Sequence, residues 1–261
     1  MKVMITGVGD AFTCRHFGSS AVVRGPEGLL LIDCPDLIHR ALTDASAIAG
    51  WNVGVADIND IVLTHLHGDH CNGLESFGFY RRFLHRMDSK TGTPRLHTTA
   101  PVAARLWERL APAMDAPMQD GKPSTLEDYF DVHIIEPDAD ATIAGLTVRC
   151  RFTGHSIPTI GLTVRHPDGA MFGWSGDTPF EAAHIEWLSA AHVIVHECNL
   201  GPVHTHIEDL EALPAAIRDR MHLIHLPDDF DPTSTSIAVL REGEVLSVET
   251  STTRAANDAN A

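Results

Sequence analysis

Four potential metal ligands stand within six positions in the stretch Ile61-Val62-Leu63-Thr64-His65-Leu66-His67-Gly68-Asp69-His70. An apolar strand runs into them, so the strand end projects His65 and His67, while the tight turn at Gly68 brings Asp69 and His70 back toward the same volume. Imidazole is the commonest protein metal ligand, and imidazoles and carboxylates together suit a divalent ion such as Zn²⁺. The cluster is large enough to fill two metal positions. A plainer alternative has Asp69 capping a helix that begins near Cys71, with the histidines on the surface. That alternative leaves the density of ligands unexplained.

The elements around this motif read as alternating strand and helix signals. Short apolar runs at 2–6, 20–23 and 29–32, punctuated by Gly7, Gly9 and the Gly25-Pro26-Glu27-Gly28 turn, predict a hairpin-rich sheet start. Gly7-Val8-Gly9-Asp10 lacks a third glycine and reads as the turn after the first strand rather than a nucleotide fingerprint. Helices are expected over 37–49 and 101–110, the second with Pro101 in its first turn. The Pro-rich connection from Ala111 to Ser124 is a candidate lid. β runs return at 146–152, 160–165, 170–174 and 193–195. One domain over 1–250 is expected, with 251–261 as a flexible tail.

Composition bounds the partners. The 261 residues include 44% hydrophobic and 21% charged residues, with no apolar run of about 18 that would span a membrane. Nineteen Lys and Arg against 35 Asp and Glu leave a net charge of −16, and 17 histidines nearly equal the permanent cations in number. Long polyanions and anionic membranes need a basic surface, so the acidic balance argues against broad binding of either while leaving room for local basic patches. Five scattered cysteines without a C-x-x-C motif and the absence of a signal-like N-terminus point to a reducing, cytoplasmic setting. No Gly-x-Ser-x-Gly elbow supports a serine hydrolase.

The motif His65-x-His67-x-Asp69-His70 resembles the signature of the metallo-β-lactamase superfamily, whose members share an αββα sandwich, an α/β fold with a one- or two-metal site at one edge. Further motifs follow in the order the superfamily requires: Thr153-Gly154-His155-Ser156, Gly173-Trp174-Ser175-Gly176-Asp177, and His222-Leu223-Ile224-His225. Each sits at the end of an apolar run. The resemblance implies that His65, His67 and His155 hold a first metal, that Asp69, His70 and His225 hold a second, and that Asp177 bridges them. Zn²⁺ is the first expectation, with Mn²⁺ and Fe²⁺ compatible with the same donors. Two such ions about 3.5–4 Å apart lower the pKa of a shared water, giving a bridging hydroxide as nucleophile.

Within the superfamily, His155-Ser156 with Gly161-Leu162 is similar to the pattern of the tRNase Z-like phosphodiesterase branch, with Leu162 in place of the usual aromatic. His196-Glu197-Cys198 and His204-Thr205-His206 resemble two further motifs of that branch. The likeness implies that His204 contacts the phosphate as general acid and that Glu197 orients it, which with Asp69 makes up the expected catalytic group. His206 competes with His204, and Thr205 with Glu208 also fits a capping box opening a helix at 206–212. His196 is expected behind the ligands. Only residues 156–176 separate His155 from Asp177, too few for the arm with which tRNA-processing members grip their substrate. The reading is therefore a metal-dependent hydrolase of a small phosphodiester such as a cyclic nucleotide. A thioester, lactone or β-lactam hydrolase is the alternative, and a tRNA 3′ endonuclease is disfavoured. Substrate contacts are expected from Phe77-Gly78-Phe79-Tyr80 or from 111–130, and a homodimer is implied by resemblance alone.

Overall fold

A strand whose residues are buried on alternate sides must lie between two packed layers, and most strands of this chain have that pattern. In the computed structural model, which describes residues 1–88, 90–117 and 121–250, Val3 and Ile5 join one apolar cluster while Met4 joins another. Ala21 and Val23 part from Val22 in the same way, as do Leu30 and Ile32 from Leu31.

The strands form two seven-stranded sheets. The first contains β1 (Lys2–Gly7), β2 (Ser20–Arg24), β3 (Leu29–Ile32), β4 (Asp60–Val62), β5 (Arg95–Thr98) and β6 (Asp131–Ile134). The second contains β7 (Asp140–Ile143), β8 (Leu146–Phe152), β9 (Ile160–Arg165), β10 (Met171–Trp174), β11 (Val193–Glu197), β12 (Met221–Ile224) and β13 (Ala238–Val239). The last strand, β14 (Val245–Ser247), returns to pair with β1. Pairing is antiparallel from β14 through β3 and parallel from β3 through β6. The second sheet mirrors this, antiparallel from β7 through β10 and parallel from β10 through β13.

The helices cover the outer faces. Those before the second sheet are α1 (Ile38–Ala49), α2 (Gly68–Cys71), α3 (Leu74–Met87) and α4 (Ala100–Met114); those beside it are α5 (Ala182–Leu188), α6 (Ile207–Glu211) and α7 (Ala215–Arg218). Ile38, Ala41, Leu42 and Ala45 give α1 one buried face. Val102, Leu106, Leu110 and Met114 do the same for α4. Three cores result: one between the sheets, one under α1, α3 and α4, and one under α5, α6 and α7. This is the αββα sandwich expected.

The 111–124 connection differs from expectation. Ala111–Met114 continue α4 despite Pro112, because Met114 is buried and its carbonyl accepts the Tyr129 hydroxyl at 2.9 Å. Packing overrides the break that proline would impose on an isolated helix. Residues 118–120 and the expected tail at 251–261 lie outside the described residues. Gly7–Asp10 is more than a turn: the Gly9 bridge to Leu226 and the Leu226 N–H bond to the Val8 carbonyl join the two sheets beside the site.

Candidate metal centre

Parallel strands place the loops at their C-terminal ends along one rim, where open α/β sheets bind ligands. Here both sheets contribute to the same rim. The loop after β4 carries Thr64, His65 and His67, and α2 adds Asp69 and His70. From the second sheet come His155 after β8, Asp177 after β10, Glu197 at the end of β11, and His225 after β12. Gly176 must be glycine, since its φ is +60° and a Cβ would lie 2.3 Å from the Ile160 carbonyl oxygen. Asp33 and His225 hold φ near +60° without being glycine, a strain of about 1 kcal/mol each concentrated at the site.

The donors gather into two four-donor groups that share Asp177, and a smaller one of Glu197, His204 and His225 beside them. His65, His67, His155 and Asp177 form one, and Asp69, His70, Asp177 and His225 the other, each with its ligand atoms within 4.8 Å of one another. In the first, His67 Nδ1 is 3.2 Å from His65 Nε2 and 3.1 Å from His155 Nε2, and Asp177 Oδ2 is 3.6 Å from His65 Nε2. In the second, Asp69 Oδ2 is 3.1 Å from His225 Nε2 and 3.4 Å from His70 Nε2, which is also 3.4 Å from Asp177 Oδ1. A tetrahedral Zn²⁺ with bonds of about 2.0–2.1 Å separates its donors by about 3.3 Å, so both groups fit a metal. His70 Nε2 is moreover buried with no hydrogen-bond partner among the described residues. A metal would take that lone pair, which otherwise costs desolvation without return.

The far nitrogens of His65, His70, His155 and His225 are tied down, as metal-bound histidines require. His70 Nδ1 lies 2.8 Å from Asp33 Oδ2, which also accepts the Thr64 hydroxyl at 2.8 Å. Thr64 Oγ1 is 3.0 Å from His65 Nδ1, and His155 Nδ1 is 3.0 Å from the Val203 carbonyl. Asn199 Nδ2 lies 3.3 Å from His225 Nδ1 and 3.2 Å from Asp10 Oδ2. Asp33, Thr64, Asn199 and Asp10 were not singled out by sequence reasoning. The one available signal was that Asp33, like the ligands, ends an apolar run.

Charge in the centre is arranged around Asp177. Burial raises its pKa, but the imidazoles of His225, His70 and His65 outweigh it and hold the carboxyl well below the usual range. Asp69 is lowered in the same way, against burial, by its hydrogen bond to His225 and the neighbouring imidazole of His70. Burial pushes His65, His67 and His155 down, keeping these imidazoles neutral. For His70 and His225 burial is overcome by the carboxylates, led by Asp177, and the pKa rises. The carboxylates thus call for positive charge, which protons on His70 and His225 or a cation can supply.

Beside these groups, Glu197 Oε1 lies 2.9 Å from His204 Nδ1 and accepts the Thr178 N–H at 2.8 Å. Burial, reinforced by Asp177, drives Glu197 well above the ordinary carboxyl range, and burial lowers His204. The His204 ring stands 5.2 Å from that of His155 and 5.3 Å from that of His225. His204, not His206, therefore faces the donors; His206 is exposed and bonds the Gly201 carbonyl.

Two plainer alternatives fall away, and the expectation for His196 is corrected. Asp69 does not cap a helix, since the position before α2 is His67 and no side chain caps it. Thr205 makes no capping box: its hydroxyl donates to the Thr178 carbonyl at 2.9 Å, and α6 starts after His206 without a side-chain cap. His196 shares strand parity with Ile194, which faces α5 to α7, so it is buried away from the ligands, with its pKa pushed down to about 4 by burial. The aromatic stretch is also mostly core: Phe77 is fully buried and Gly78 packs against Phe130, while Tyr80 meets His39 edge-on. What does open beside His67 is a cavity of about 430 Å³ under α4.

Known proteins resemble this chain over nearly its whole length. The family model described as "Anti-Pycsar protein Apyc1" matches residues 1–245. The protein of that name from Paenibacillus sp. (strain J14) is 29% identical over 255 residues, covering 94% of this chain and 98% of its own length. Among solved structures, the metallo-β-lactamase fold protein YhfI from Bacillus subtilis superposes with a TM-score of 0.73 at 16% identity, covering 94% of this chain and 99% of that one. Human tRNase Z, short form, superposes with a TM-score of 0.68 at 18% identity, covering 96% and 100%. These two likenesses establish the metallo-β-lactamase fold. Among the described residues no helix is long and apolar enough to cross a membrane.

Proposed function

The chain belongs to the Anti-Pycsar protein Apyc1 family, and on that premise we propose that it is a metal-dependent hydrolase with two divalent ions that acts on small phosphodiesters, cyclic nucleotides first among them. The observation that carries the reading is the meeting of two four-donor groups on one shared carboxylate, Asp177, beside the buried Glu197 and its half-buried partner His204.

When bound, two such ions would activate a water at neutral pH and neutralise charge on a phosphoryl group. His65, His67, His155 and Asp177 would hold one, and Asp69, His70, His225 and Asp177 the other. Asp33 and Thr64 fix the tautomers of His70 and His65, so their Nε2 atoms are presented as acceptors. Asp69 keeps its carboxylate ionised at neutral pH and directed into the centre.

Glu197 and His204 supply what the metal donors lack, a proton held over the site. Nδ1 of His204 is occupied by Glu197, which leaves Nε2 to face a phosphoryl or leaving-group oxygen. A proton carried there would pass to the departing alkoxide of the ester. Glu197 sits too deep to reach substrate itself, being about 1% exposed, so its part is to hold the ring. An alkoxide leaving group of a phosphodiester uses such a proton donor, whereas the thiolate of a thioester departs without one, so this pair favours a phosphodiester over a thioester. The −16 net charge favours a small substrate over a long polyanion.

The test is turnover of bis(p-nitrophenyl) phosphate and a panel of cyclic nucleotides by metal-loaded protein. Chelator-sensitive hydrolysis of at least one is expected. Hydrolysis of thioesters or lactones with none of these phosphodiesters would overturn the reading.

A further inference from the structure

A phosphodiester bound at the donors must place its remaining parts somewhere along the rim, and the rim is not uniform. On the side of Asp69 the adjoining depression is lined by Asp10, Asp36 and His16. On the side of His67 lies the 430 Å³ cavity, whose walls are Leu66, Val102, Ile157 and Pro158, with Arg105 and Arg109 of α4 at its edge. In a chain with 35 acidic and 19 basic residues, Arg105 and Arg109 with Glu108 between them leave the cavity edge beside the proposed metals with one net positive charge.

The two arginines differ in kind. Arg109 is committed: its Nε donates to Cys71 Sγ at 2.9 Å and its terminal nitrogen to Asn72 Oδ1 at 2.7 Å, bracing α4 against α2. Arg105 is exposed, and its guanidinium has no hydrogen-bonding or charged partner among the described residues. Apolar walls spaced across a cavity accept a flat ring. A free planar guanidinium at its mouth offers donors in a fork that matches adjacent carbonyl and ring-nitrogen acceptors, or stacks on the ring face.

We propose that this cavity is the nucleobase subsite of the enzyme and that Arg105 is its specificity-determining residue, favouring bases that present a carbonyl acceptor edge over adenine. The inference rests on the phosphodiesterase reading and names which part of the substrate goes where: phosphate at the donors, base between Leu66 and Ile157 under α4. A second anionic group would need charge without apolar walls, so the walls decide for a base.

The experiment compares wild type with Arg105→Ala and Arg105→Lys on 3′,5′-cyclic GMP, 3′,5′-cyclic AMP and bis(p-nitrophenyl) phosphate. Arg105 is exposed on a helix, where alanine is the best helix former, so the variant is expected to fold and to keep its metal content. With Ala, kcat/KM for cyclic GMP is expected to fall about tenfold, chiefly through KM, and for cyclic AMP less than about threefold. Lys, which keeps charge but not the fork, should fail to restore the GMP preference. Equal losses on all three substrates, or a full rescue by Lys, would overturn the proposal by making Arg105 a general anion contact; no loss on cyclic GMP would overturn it outright. If wild type hydrolyses no phosphodiester, the phosphodiesterase reading falls separately. Equilibrium binding of guanosine 5′-monophosphate then decides the subsite: weaker binding by Arg105→Ala supports it, and equal binding rejects it.

Discussion

Two buried polar clusters of the molecule are built on opposite principles. Around Arg81, which is 1% exposed, the guanidinium donates to the carbonyls of Val55, Ala56, Ile58 and Gly92 and to Asn59 Oδ1. Donors meet acceptors, and the cluster is nearly complete in itself. Around Asp177, imidazole nitrogens and carboxylate oxygens converge, and among the described residues His70 Nε2 has no hydrogen-bond partner. Burial of polar groups alone therefore does not mark a functional site. What marks one is convergence of lone pairs on a point that the protein's own hydrogens do not fill.

The contrast predicts opposite consequences when each cluster is cut. The largest effect is expected for Asp177→Asn, which removes the carboxylate shared by both donor groups: kcat/KM should fall by at least about 10³-fold, with loss of metal but a folded chain. Activity together with elemental analysis and a thermal melt checks all three. Arg81→Met should do the reverse. It strands several buried carbonyls, so stability should drop by about 3 kcal/mol in denaturant titration, while kcat per folded molecule and metal content stay at wild-type values. A variant at Arg81 that lost metal first would break the comparison.

His204→Ala sharpens it further, because His204 stands over the centre without belonging to either four-donor group. A loss in kcat of about 10²-fold with metal content unchanged is expected for phosphodiesters. An unchanged kcat would remove the proton donor from the account and favour the acyl or thioester chemistry instead.

Much of the centre is legible in the sequence because its ligands are local to apolar runs. His65, His67, Asp69 and His70 crowd one strand end, and His155, Asp177 and His225 each follow a strand whose bounds the hydrophobic pattern reveals. The superfamily motifs then order them. What the sequence conceals depends on contacts between distant segments. Asp33 reaches His70 across 37 positions, and no local pattern announces that pairing. Thr205 and Glu208 have the spacing of a capping box, yet the Thr205 hydroxyl is taken by Thr178, 27 positions away. His196 is separated from Glu197 by a single residue step, and strand alternation alone sends one to the helix layer and the other toward the metals. Pro112 reads as a stop, but burial of Met114 carries the helix past it. Local chemistry survives translation into structure more directly than local conformation does.

The central claim is that two ions on a shared Asp177 drive phosphodiester hydrolysis. Its most direct test is a titration of the chelated protein with Zn²⁺ or Mn²⁺, following metal bound per chain and turnover of a 3′,5′-cyclic nucleotide in the same samples. The account predicts that turnover rises as the second equivalent binds. Two ions bound with no turnover of any cyclic nucleotide, or full turnover with a single ion, would contradict it.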